Sequence, residues 1–415
     1  MKKLTVIGGN QLFGEIDIAP AKNACLPLIA SSILYTEEII LLNAPKITDV
    51  ETMACIIENL GGEYQFQLNG LRLNSSKVNK FEADSNLCSK ARASFFIVGA
   101  LLSRFKKAIV PLPGGCKIGK RPVDIHINVL KQLNAIVDVG ADAISFNGEK
   151  MRSGKVIFPF PSVGATVNAI CSAVFLKGES ILINVAKEPE ICDLCTFLNQ
   201  CGCKIRGYGS KVIVIEGVDS LKKEKIYYKP IKDRIEAGTY MCACALCGGE
   251  ITFKYDSNAY LLAVEEKLKE FGVNIYFDSG KITINSNARL KSVNLTADVY
   301  PFFPTDLQSP FATVCAGALG TSLIRDKVFL QRFGYLKELK KFGACVNIKK
   351  DYAIIHGKKR LHCATVEVED LRGGAGLLIA GLKAEGKSEL LNSDILDRGY
   401  ENLVYKMNSI GAKIY

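Results

Sequence analysis

A unit of about 70 residues recurs six times along the chain and limits the folds open to it. Each copy has a helix-like run of small apolar residues, a β-rich run, and a second helix that ends at glycine or asparagine. These helix ends are spaced by 68 to 73 residues and fall at Gly61, Asn134, Gly202, Gly272, Gly343 and Gly411. Because both residue types tolerate the left-handed conformation, each position is predicted to be a left-handed helix C-cap. A period this long predicts six βαβ-type blocks rather than a stacked solenoid.

The first helix of each block has no polar face, as residues 93–102 and 165–174 illustrate. Such helices are predicted to be buried at the centre of a domain. At roughly 150 residues per domain, the chain predicts two or three domains, and six blocks predict three per domain. The fold class is therefore predicted as α/β, with two inside-out α/β domains of three repeats around buried central helices.

A charged, β-poor stretch, residues 222–232, separates the third block from the fourth and predicts the boundary between the domains. The first strand precedes the first block, so it is expected to join the second domain. The predicted domains are residues 22–229, and residues 1–21 together with 230–415.

The amino-acid composition indicates which binding partners and which cellular compartment to expect. The chain has 53 Lys and Arg against 42 Asp and Glu, a net charge of +11, which predicts anionic partners. No block of five like charges occurs, so a basic nucleic-acid tail is not predicted. The apolar run after the two N-terminal lysines breaks at Gly8 and Gly9, and no 18-residue apolar stretch follows. The missing apolar stretch predicts no membrane partner. The odd number of cysteines, 15, predicts free thiols in a reducing cytoplasm.

A glycine-rich loop carries the clearest local chemistry. Gly114, Gly119 and Lys120 have the spacing of a phosphate-binding P-loop, but Arg121 stands where the Mg²⁺-binding hydroxyl would be. A plain glycine-rich turn is the alternative. Against that alternative, Cys116 lies between glycines among cations, a setting that favours thiolate or acid–base chemistry.

Charged residues also recur at the starts of the apolar first helices, at Lys22, Arg92, Asp233, Arg234, Asp306, Asp370 and Arg372. Helix N-termini attract anions through free N–H groups and the macrodipole. Each residue alone is explained as an ordinary cap or a solvated cation. Their recurrence at equivalent positions predicts that the helix starts converge on one cleft between the two domains.

Two cysteine pairs have the spacing of zinc ligands, Cys192 with Cys195 and Cys244 with Cys247. Both lie in helix-like apolar patterns with no histidine nearby. Buried cysteines acting as small hydrophobic residues explain them better, so no metal site is predicted.

Taken together, several motifs resemble the UDP-N-acetylglucosamine 1-carboxyvinyltransferases, a family of enolpyruvyl transferases. They occur in the family's order and cover almost the whole chain: AKNA (21–24), KARAS (90–94), LPGGCKIGKRPVD (112–124), SVGAT (162–166), EPE (188–190), DRIEAGT (233–239), FPTDLQ (303–308), DLR (370–372) and DRGY (397–400). The family's fold, two inside-out α/β domains of three repeats, agrees with the six blocks counted above.

The resemblance implies a reaction between phosphoenolpyruvate and UDP-N-acetylglucosamine, the first committed step of peptidoglycan synthesis. The sugar 3-hydroxyl adds to C2 of phosphoenolpyruvate, and phosphate leaves from a tetrahedral adduct. No metal and no organic cofactor are implied. We expect no nucleic-acid partner, and a monomer or a weak oligomer.

By the family's pattern, the catalytic residues are Cys116, Asp306, Lys22 and Arg398. Cys116 protonates the C3 methylene or forms a covalent adduct, Asp306 accepts the hydroxyl proton, and residues 113–122 form a lid. The cations that hold phosphoenolpyruvate are Lys22, Arg92, Arg121, Arg332, Arg372 and Arg398. The nucleotide-sugar site is lined by Asn23, Pro122, Val123, Asp124, Ile125, Ser162, Val163, Gly164, Asp306 and Val328.

The chain departs from the family's usual residues at three places. Lys187 replaces an arginine, Leu330 replaces a glutamate near Arg332, and Ile395 with Leu396 replaces a His-Ile pair. These departures leave room for a weakly active or regulatory paralogue that binds UDP-N-acetylglucosamine. The shikimate-pathway enolpyruvyl transferase shares the fold and is a second alternative, although its phosphate motif is not evident and the lid with Cys116 argues against it. An RNA-end-processing protein of similar architecture is a third, although no basic-aromatic stripe supports it.

Overall fold

The structure is a computed structural model that describes residues 2–112, 123–255, 257–358 and 360–415. The described chain packs into two compact units. The unit named here the N-terminal unit comprises residues 20–112 and 123–231, and the C-terminal unit comprises residues 2–19 and 232–415 apart from the gaps. Each unit has its own hydrophobic core. The domain limits inferred from the sequence, 22–229 and 1–21 with 230–415, remain a prediction.

The strands, in chain order, are β1 (Lys3–Gly8), β2 (Leu12–Glu15), β3 (Glu38–Leu42), β4 (Glu63–Gln67), β5 (Gly70–Asn74), β6 (Lys107–Pro111), β7 (Ile136–Val139), β8 (Ala143–Asn147), β9 (Lys155–Ile157), β10 (Glu179–Ile183), β11 (Lys204–Arg206), β12 (Val212–Glu216), β13 (Ile226–Tyr228), β14 (Gly249–Lys254), β15 (Asn274–Asp278), β16 (Lys281–Ser286), β17 (Leu295–Ala297), β18 (Gly320–Asp326), β19 (Cys345–Ile348), β20 (Tyr352–Gly357), β21 (Thr365–Glu367) and β22 (Gly386–Leu391).

The α-helices are α1 (Lys22–Ser31), α2 (Thr48–Asn59), α3 (Ser85–Lys90), α4 (Ile97–Phe105), α5 (Asp124–Gln132), α6 (Val163–Ala173), α7 (Pro189–Gln200), α8 (Arg234–Cys247), α9 (Leu262–Glu270), α10 (Gln308–Gly317), α11 (Tyr335–Leu339), α12 (Leu371–Lys383) and α13 (Leu403–Ser409). Short 3₁₀ helices cover Ser32–Leu34, Arg92–Phe96, Asn258–Tyr260, Thr305–Leu307, Lys340–Phe342 and Ser393–Arg398. Among the described residues, no helix is both long and apolar enough to cross a bilayer.

Six sheets share one strand pattern, three in each unit. In four of them an antiparallel run of three strands has a fourth strand added parallel at one edge, in the orders β13-β3-β5-β4, β11-β12-β10-β9, β15-β16-β14-β2 and β17-β18-β20-β19. The sheets β6-β8-β7 and β1-β22-β21 have three strands, and each is extended by one isolated bridge, Glu82 with Ile109 and Val6 with Ile414. The repeat inferred from the sequence is therefore a repeat of whole sheets, which confirms the predicted α/β fold class.

The six repeating helix ends all adopt the predicted left-handed conformation. Their φ angles are 105° at Gly61, 64° at Asn134, 107° at Gly202, 96° at Gly272, 85° at Gly343 and 99° at Gly411. A side chain at such a φ is strained, which explains why only glycine and asparagine occupy these positions. The prediction is confirmed, although the copy at Gly343 follows a 3₁₀ turn rather than an α-helix.

Each unit is centred on three helices that lack a polar face, α1, α4 and α6 in one and α8, α10 and α12 in the other. All 14 residues of α8 are buried. Their backbones approach closely at small residues: a Cβ at Gly99 in α4 would lie 2.2 Å from the carbonyl oxygen of Asn168 in α6. Asn168 also accepts the Gly99 N–H at 2.9 Å, so close approach and a buried hydrogen bond coincide. The predicted burial of the central helices is confirmed.

The two segments that join the units have defined hydrogen bonds within each unit. Ala21 donates its N–H to the carbonyl of Ile231 in the N-terminal unit, and Asp233 donates to the carbonyl of Ala19 in the C-terminal unit. The side chain of Glu236 accepts the Ala19 N–H at 2.8 Å. The stretch 222–232, which the sequence describes as β-poor, contains the short strand β13, and this strand pairs in parallel with β3. Three apolar residues among lysines suffice for an edge strand.

Candidate active site

The C-terminal unit places one carboxylate between two guanidinium groups. Asp306 lies in the 3₁₀ turn that leads into α10, and Arg332 lies beyond the end of β18. Arg332 donates from Nη1 to Oδ1 of Asp306 at 2.9 Å, and Arg372 donates from Nη2 to Oδ2 at 3.3 Å. Both arginine side chains are buried, whereas 26% of the Asp306 side chain is exposed. The carboxylate is thus held by fixed cations and remains reachable from solvent.

Arg372 lies in the first turn of α12, where Asp370 caps the helix by accepting the N–H groups of Arg372 and Gly373. Its guanidinium lies 5.3 Å from the ring centroid of Tyr400. The other terminal nitrogen, Nη1, is buried and has no hydrogen-bond acceptor among the described residues. A buried guanidinium proton without an acceptor is costly, and it is what a site for an anionic oxygen would present.

The pKa values of both arginines in this cluster are raised. Burial acts to lower the pKa of Arg332, but the adjacent Asp306 carboxylate outweighs it and the pKa is raised. For Arg372, burial is again opposed, by Tyr400 and Asp306, and the pKa is raised. Both groups therefore stay cationic, as anion binding requires.

Two further side chains in this unit support the cluster, and the sequence assigned neither of them a role in the site. Thr305 accepts a hydrogen bond from Arg332 Nη1 at 3.1 Å and donates to Asp326 Oδ2 at 2.5 Å. Asp326 is fully buried, and burial raises its pKa. A carboxylate at the end of a strand carries no sequence signal that separates it from a solvated surface residue.

The remaining predicted residues of this unit are placed as follows. Val328 is partly exposed, two residues after β18, and its N–H is held by Asp326 at 2.9 Å. Arg398 ends the 3₁₀ helix Ser393–Arg398, which packs against α12, and its side chain is partly exposed. Leu330, the departure near Arg332, is 57% exposed. The contacts of Arg332 with Thr305 and Asp306 form despite that departure.

The N-terminal unit holds its own cationic residue at a helix start. Lys22 is the first residue of α1, is 8% exposed, and its Nζ lies 2.7 Å from Oδ2 of Asp49 in the first turn of α2. Asn23 follows and is partly exposed. A buried ion pair of this kind fixes the ammonium in place. Asp49 carries no separate signal in the sequence, because an aspartate in a first turn is explained by its favourable interaction with the helix dipole.

The buried His126 is hydrogen-bonded to the close helix pair described above and is influenced by the charge of Arg92. Asn168 donates from Nδ2 to Nδ1 of His126 at 2.9 Å, and Gly99 fixes the amide orientation by donating to its oxygen. The histidine proton therefore lies on Nε2. Burial, with the charge of Arg92 adding, lowers the pKa of His126 to about 3, so the ring is neutral. Arg92 opens the 3₁₀ helix Arg92–Phe96 and is partly exposed.

The His126 ring lies against the start of α6, which holds three predicted nucleotide-sugar residues. Ser162 caps α6 by accepting the Ala165 N–H, and Val163 with Gly164 forms its first turn. A Cβ at Gly164 would lie 2.8 Å from Cε1 of His126, so only glycine fits there. Ser162, Val163 and Gly164 are partly exposed, and so are Val123 and Ile125 at the start of α5, while Asp124 is exposed.

Three predicted residues, Cys116, Arg121 and Pro122, and the predicted lid 113–122 lie outside the described residues. In the part of the chain that is described, no group of three or more His, Cys, Asp or Glu side chains is placed to hold a metal ion. Burial raises the pKa of Cys192 to about 11 and the pKa values of Cys244 and Cys247 to about 12, so these thiols stay protonated at neutral pH.

The two clusters supply complementary chemistry. The C-terminal unit offers an accessible carboxylate, Asp306, fixed between two permanent cations. The N-terminal unit offers a fixed ammonium, Lys22, and the partly exposed N-terminus of α6. A carboxylate can accept a proton from a hydroxyl, and guanidinium and ammonium groups can hold carboxylate and phosphate oxygens.

Comparison with known sequences supports one family. The family described as EPSP synthase (3-phosphoshikimate 1-carboxyvinyltransferase) matches residues 6–407. A UDP-N-acetylglucosamine 1-carboxyvinyltransferase of Clostridium botulinum is 40% identical over 416 residues, covering 100% of this chain and 99% of the relative. UDP-N-acetylglucosamine 1-carboxyvinyltransferase 3 of Caldanaerobacter subterraneus is 41% identical over 414 residues, with 100% and 99% covered. The similarity spans both units.

Solved structures share the fold. The enolpyruvyl transferase NikO from Streptomyces tendae superposes with a TM-score of 0.90 at 23% identity, covering 100% of this chain and 98% of that one. The EPSP synthase of Acinetobacter baumannii gives a TM-score of 0.73 at 16% identity, with 100% of both chains covered. At these identities the likeness concerns the fold alone, and the predicted two-domain α/β architecture is confirmed.

Proposed function

The chain belongs to the EPSP synthase family of enolpyruvyl transferases, and on that premise we propose that it transfers the enolpyruvyl group of phosphoenolpyruvate to UDP-N-acetylglucosamine. The acceptor is the 3-hydroxyl of the sugar, and the second product is inorganic phosphate. This is the first committed step of peptidoglycan synthesis. Relatives of about 40% identity over the full length carry that activity in their names, which favours this acceptor over shikimate 3-phosphate.

The observation that carries the proposal is the Asp306 carboxylate between the guanidinium groups of Arg332 and Arg372. Asp306 takes the proton from the sugar hydroxyl as its oxygen bonds to C2 of phosphoenolpyruvate. C3 gains a proton, which we assign to Cys116, and a tetrahedral phosphate adduct results. In the second step the thiolate left on Cys116 takes a proton back from C3, the bond from C2 to the phosphate oxygen breaks, and the enolpyruvyl ether and phosphate leave.

The cations hold negative charge through both steps. Arg372 offers Nη1, and Arg332 shares the carboxylate or phosphate oxygens of phosphoenolpyruvate. When these oxygens draw the guanidinium protons toward themselves, Asp306 becomes a better proton acceptor. Lys22, Arg92, Arg121 and Arg398 are assigned to the same anion, and fixed positive charge stabilises the departing phosphate.

The nucleotide sugar is assigned to helix starts and to side chains outside the cluster of cations, with no metal or organic cofactor taking part in any step. The first turn of α6, at Ser162, Val163 and Gly164, suits a phosphate because its N–H groups have no partners within the helix. The other proposed contacts are Asn23, Pro122, Val123, Asp124, Ile125 and Val328. The proposal includes a cytoplasmic location, which suits the thiol content, and a monomer or weak oligomer.

The decisive experiment is incubation of the protein with phosphoenolpyruvate and UDP-N-acetylglucosamine, with mass analysis of the nucleotide product and a phosphate-release assay. We expect an enolpyruvyl adduct of the sugar nucleotide and stoichiometric phosphate. Phosphate release from phosphoenolpyruvate with shikimate 3-phosphate, but not with UDP-N-acetylglucosamine, would identify shikimate 3-phosphate as the acceptor. Binding of UDP-N-acetylglucosamine without any product would identify a regulatory paralogue instead.

A further inference from the structure

Asp326 is a fully buried carboxylate whose two oxygens are both used. Oδ1 accepts the N–H groups of Val328 at 2.9 Å and Phe329 at 2.8 Å, and Oδ2 accepts the hydroxyl of Thr305 at 2.5 Å. One oxygen therefore fixes the backbone that follows β18, and the other fixes a side chain in the turn before α10. The two segments meet at this single carboxylate.

Thr305 passes the restraint on to the catalytic cluster. Because its hydroxyl proton points to Asp326, its oxygen presents lone pairs to the guanidinium of Arg332 and accepts from Nη1 at 3.1 Å. The same Nη1 donates to Oδ1 of Asp306 at 2.9 Å. The order of donation runs one way, from Arg332 to Thr305 and from Thr305 to Asp326. A second bond from Gln308 Nε2 to the Arg332 carbonyl, at 3.2 Å, holds the backbone and leaves the guanidinium angle to Thr305.

We propose that Asp326 and Thr305 are positioning residues for enolpyruvyl transfer, setting the guanidinium of Arg332 against Asp306 while Asp326 separately fixes Val328. The inference rests on the proposed function, in which Asp306 is the base and Val328 contacts the nucleotide sugar. Neither residue is assigned a contact with a substrate. Thr305 acts through Arg332 alone, and Asp326 acts through both Arg332 and Val328.

This branching separates the two residues kinetically. Thr305→Val removes the oxygen that Arg332 needs but leaves both backbone hydrogen bonds of Asp326, so Val328 stays in place. Asp326→Asn keeps the shape, but an amide has one accepting oxygen and one donating nitrogen for three donors. It must therefore weaken either the backbone bonds or the Thr305 bond. Thr305→Ser keeps the hydroxyl and is the conservative rescue.

The experiment measures kcat and the KM for each substrate in the full chain. For Thr305→Val we expect kcat to fall roughly 10- to 100-fold, as for other groups that orient a catalytic side chain, with the KM for UDP-N-acetylglucosamine within about twofold. Thr305→Ser should keep kcat within about threefold of the wild-type value. Asp326→Asn should lower kcat and, in addition, raise the KM for UDP-N-acetylglucosamine about tenfold. Thr321→Val, an exposed threonine on β18, is the matched control and should match the wild type.

Wild-type kcat in Thr305→Val, or equal loss in Thr305→Ser and Thr305→Val, would overturn the inference. A crystal structure of Thr305→Val tests it without turnover: we expect the Arg332 guanidinium to rotate and its contact with Asp306 to lengthen. An unchanged contact would refute the positioning role. Absence of product from the wild type would refute the proposed function instead, so the two failures are distinct.

Discussion

Arg372 binds Asp306 through only one of its terminal nitrogens. Nη2 donates to the carboxylate at 3.3 Å, while Nη1 is buried and meets no acceptor in the described parts of the chain. The guanidinium is planar and rigid, so both nitrogens are fixed once α12 and Tyr400 hold the group. The second nitrogen is therefore oriented in advance for an anionic oxygen.

Arg372→Lys should weaken binding of phosphoenolpyruvate. A lysine keeps the charge but loses the fork that serves Asp306 and a substrate oxygen at once, and a charged hydrogen bond contributes about 1.5–3 kcal/mol. We expect the KM for phosphoenolpyruvate to rise roughly 10- to 100-fold with a smaller change for UDP-N-acetylglucosamine. Steady-state kinetics with each substrate varied will measure this. The exposed Arg289→Lys is the control, and equal effects in both variants would contradict the assignment.

Asp306→Asn should remove the proton acceptor while leaving the fold intact. An amide cannot take the hydroxyl proton, so kcat should fall by about 10²- to 10⁴-fold. Binding of UDP-N-acetylglucosamine, measured by calorimetry, should change little by comparison. Asp351→Asn, an exposed carboxylate in the same unit, should behave as wild type. Turnover near the wild-type rate in Asp306→Asn would exclude Asp306 as the base.

Cys116→Ser should slow turnover severely, because a serine hydroxyl is a much weaker acid than a thiol. By the resemblance to the family, the wild type should be labelled covalently by the epoxide fosfomycin and the serine variant should not. Intact-mass spectrometry after incubation measures the label. Cys345→Ser, which removes an exposed thiol of the C-terminal unit, is the control and should still be labelled. Full labelling of Cys116→Ser would place the reactive group elsewhere.

Protonation of His126 should make the fold acid-sensitive. Burial lowers its pKa from 6.5 to about 3, so the unfolded state binds the proton first as the pH falls below 6.5. The stability that His126 contributes is complete above pH 6.5 and is lost progressively down to about pH 3. Between about pH 7.5 and pH 5, the free energy of unfolding should drop by roughly 2 kcal/mol more in wild type than in His126→Gln. Urea titrations at both pH values measure the difference, and the exposed His356→Gln is the control, expected to follow the wild type. Parallel curves for wild type and His126→Gln would contradict the buried neutral ring.

Asp193 should act in the opposite direction. Burial raises its pKa from 3.8 to about 6, despite the hydrogen bond from Tyr228, so the folded state holds the proton longer than the unfolded state. The stability it contributes is present below pH 3.8 and is lost as the pH rises through 6. Relative to Asp193→Asn, the wild type should lose roughly 2.4 kcal/mol between about pH 4 and pH 7. The same urea titrations apply, with the exposed Asp219→Asn as control, and a constant difference across that range would refute the shift.

The sequence predicts features that depend on a single residue or a short period. The left-handed helix ends at Gly61 and Asn134 are examples, since the conformation itself selects the residue type. The apolar central helices are another, because an all-round apolar face can only be buried. Asp306 and Arg372 were located by their recurrence at helix starts and by resemblance, and their mutual contact needed the structure.

Features that join distant segments had no such signal. Asp326 meets Thr305 across 21 residues, and Asp49 meets Lys22 across two helices, so each carboxylate alone looks like a cap or a surface group. The strand β13 could not be predicted because its pairing partner, β3, lies far away in the sequence, near the start of the N-terminal unit. Pairing of this kind is decided by tertiary packing rather than by local composition.

The two units differ in when their sheets can be completed during synthesis. Residues 20–231 hold all the strands of three sheets, so that unit can close while the rest of the chain is still being translated. By contrast, β1 pairs with β22, and Thr5 exchanges backbone hydrogen bonds with Tyr415. The strand β1 can therefore complete its sheet only after β22, far along the chain, has been synthesised.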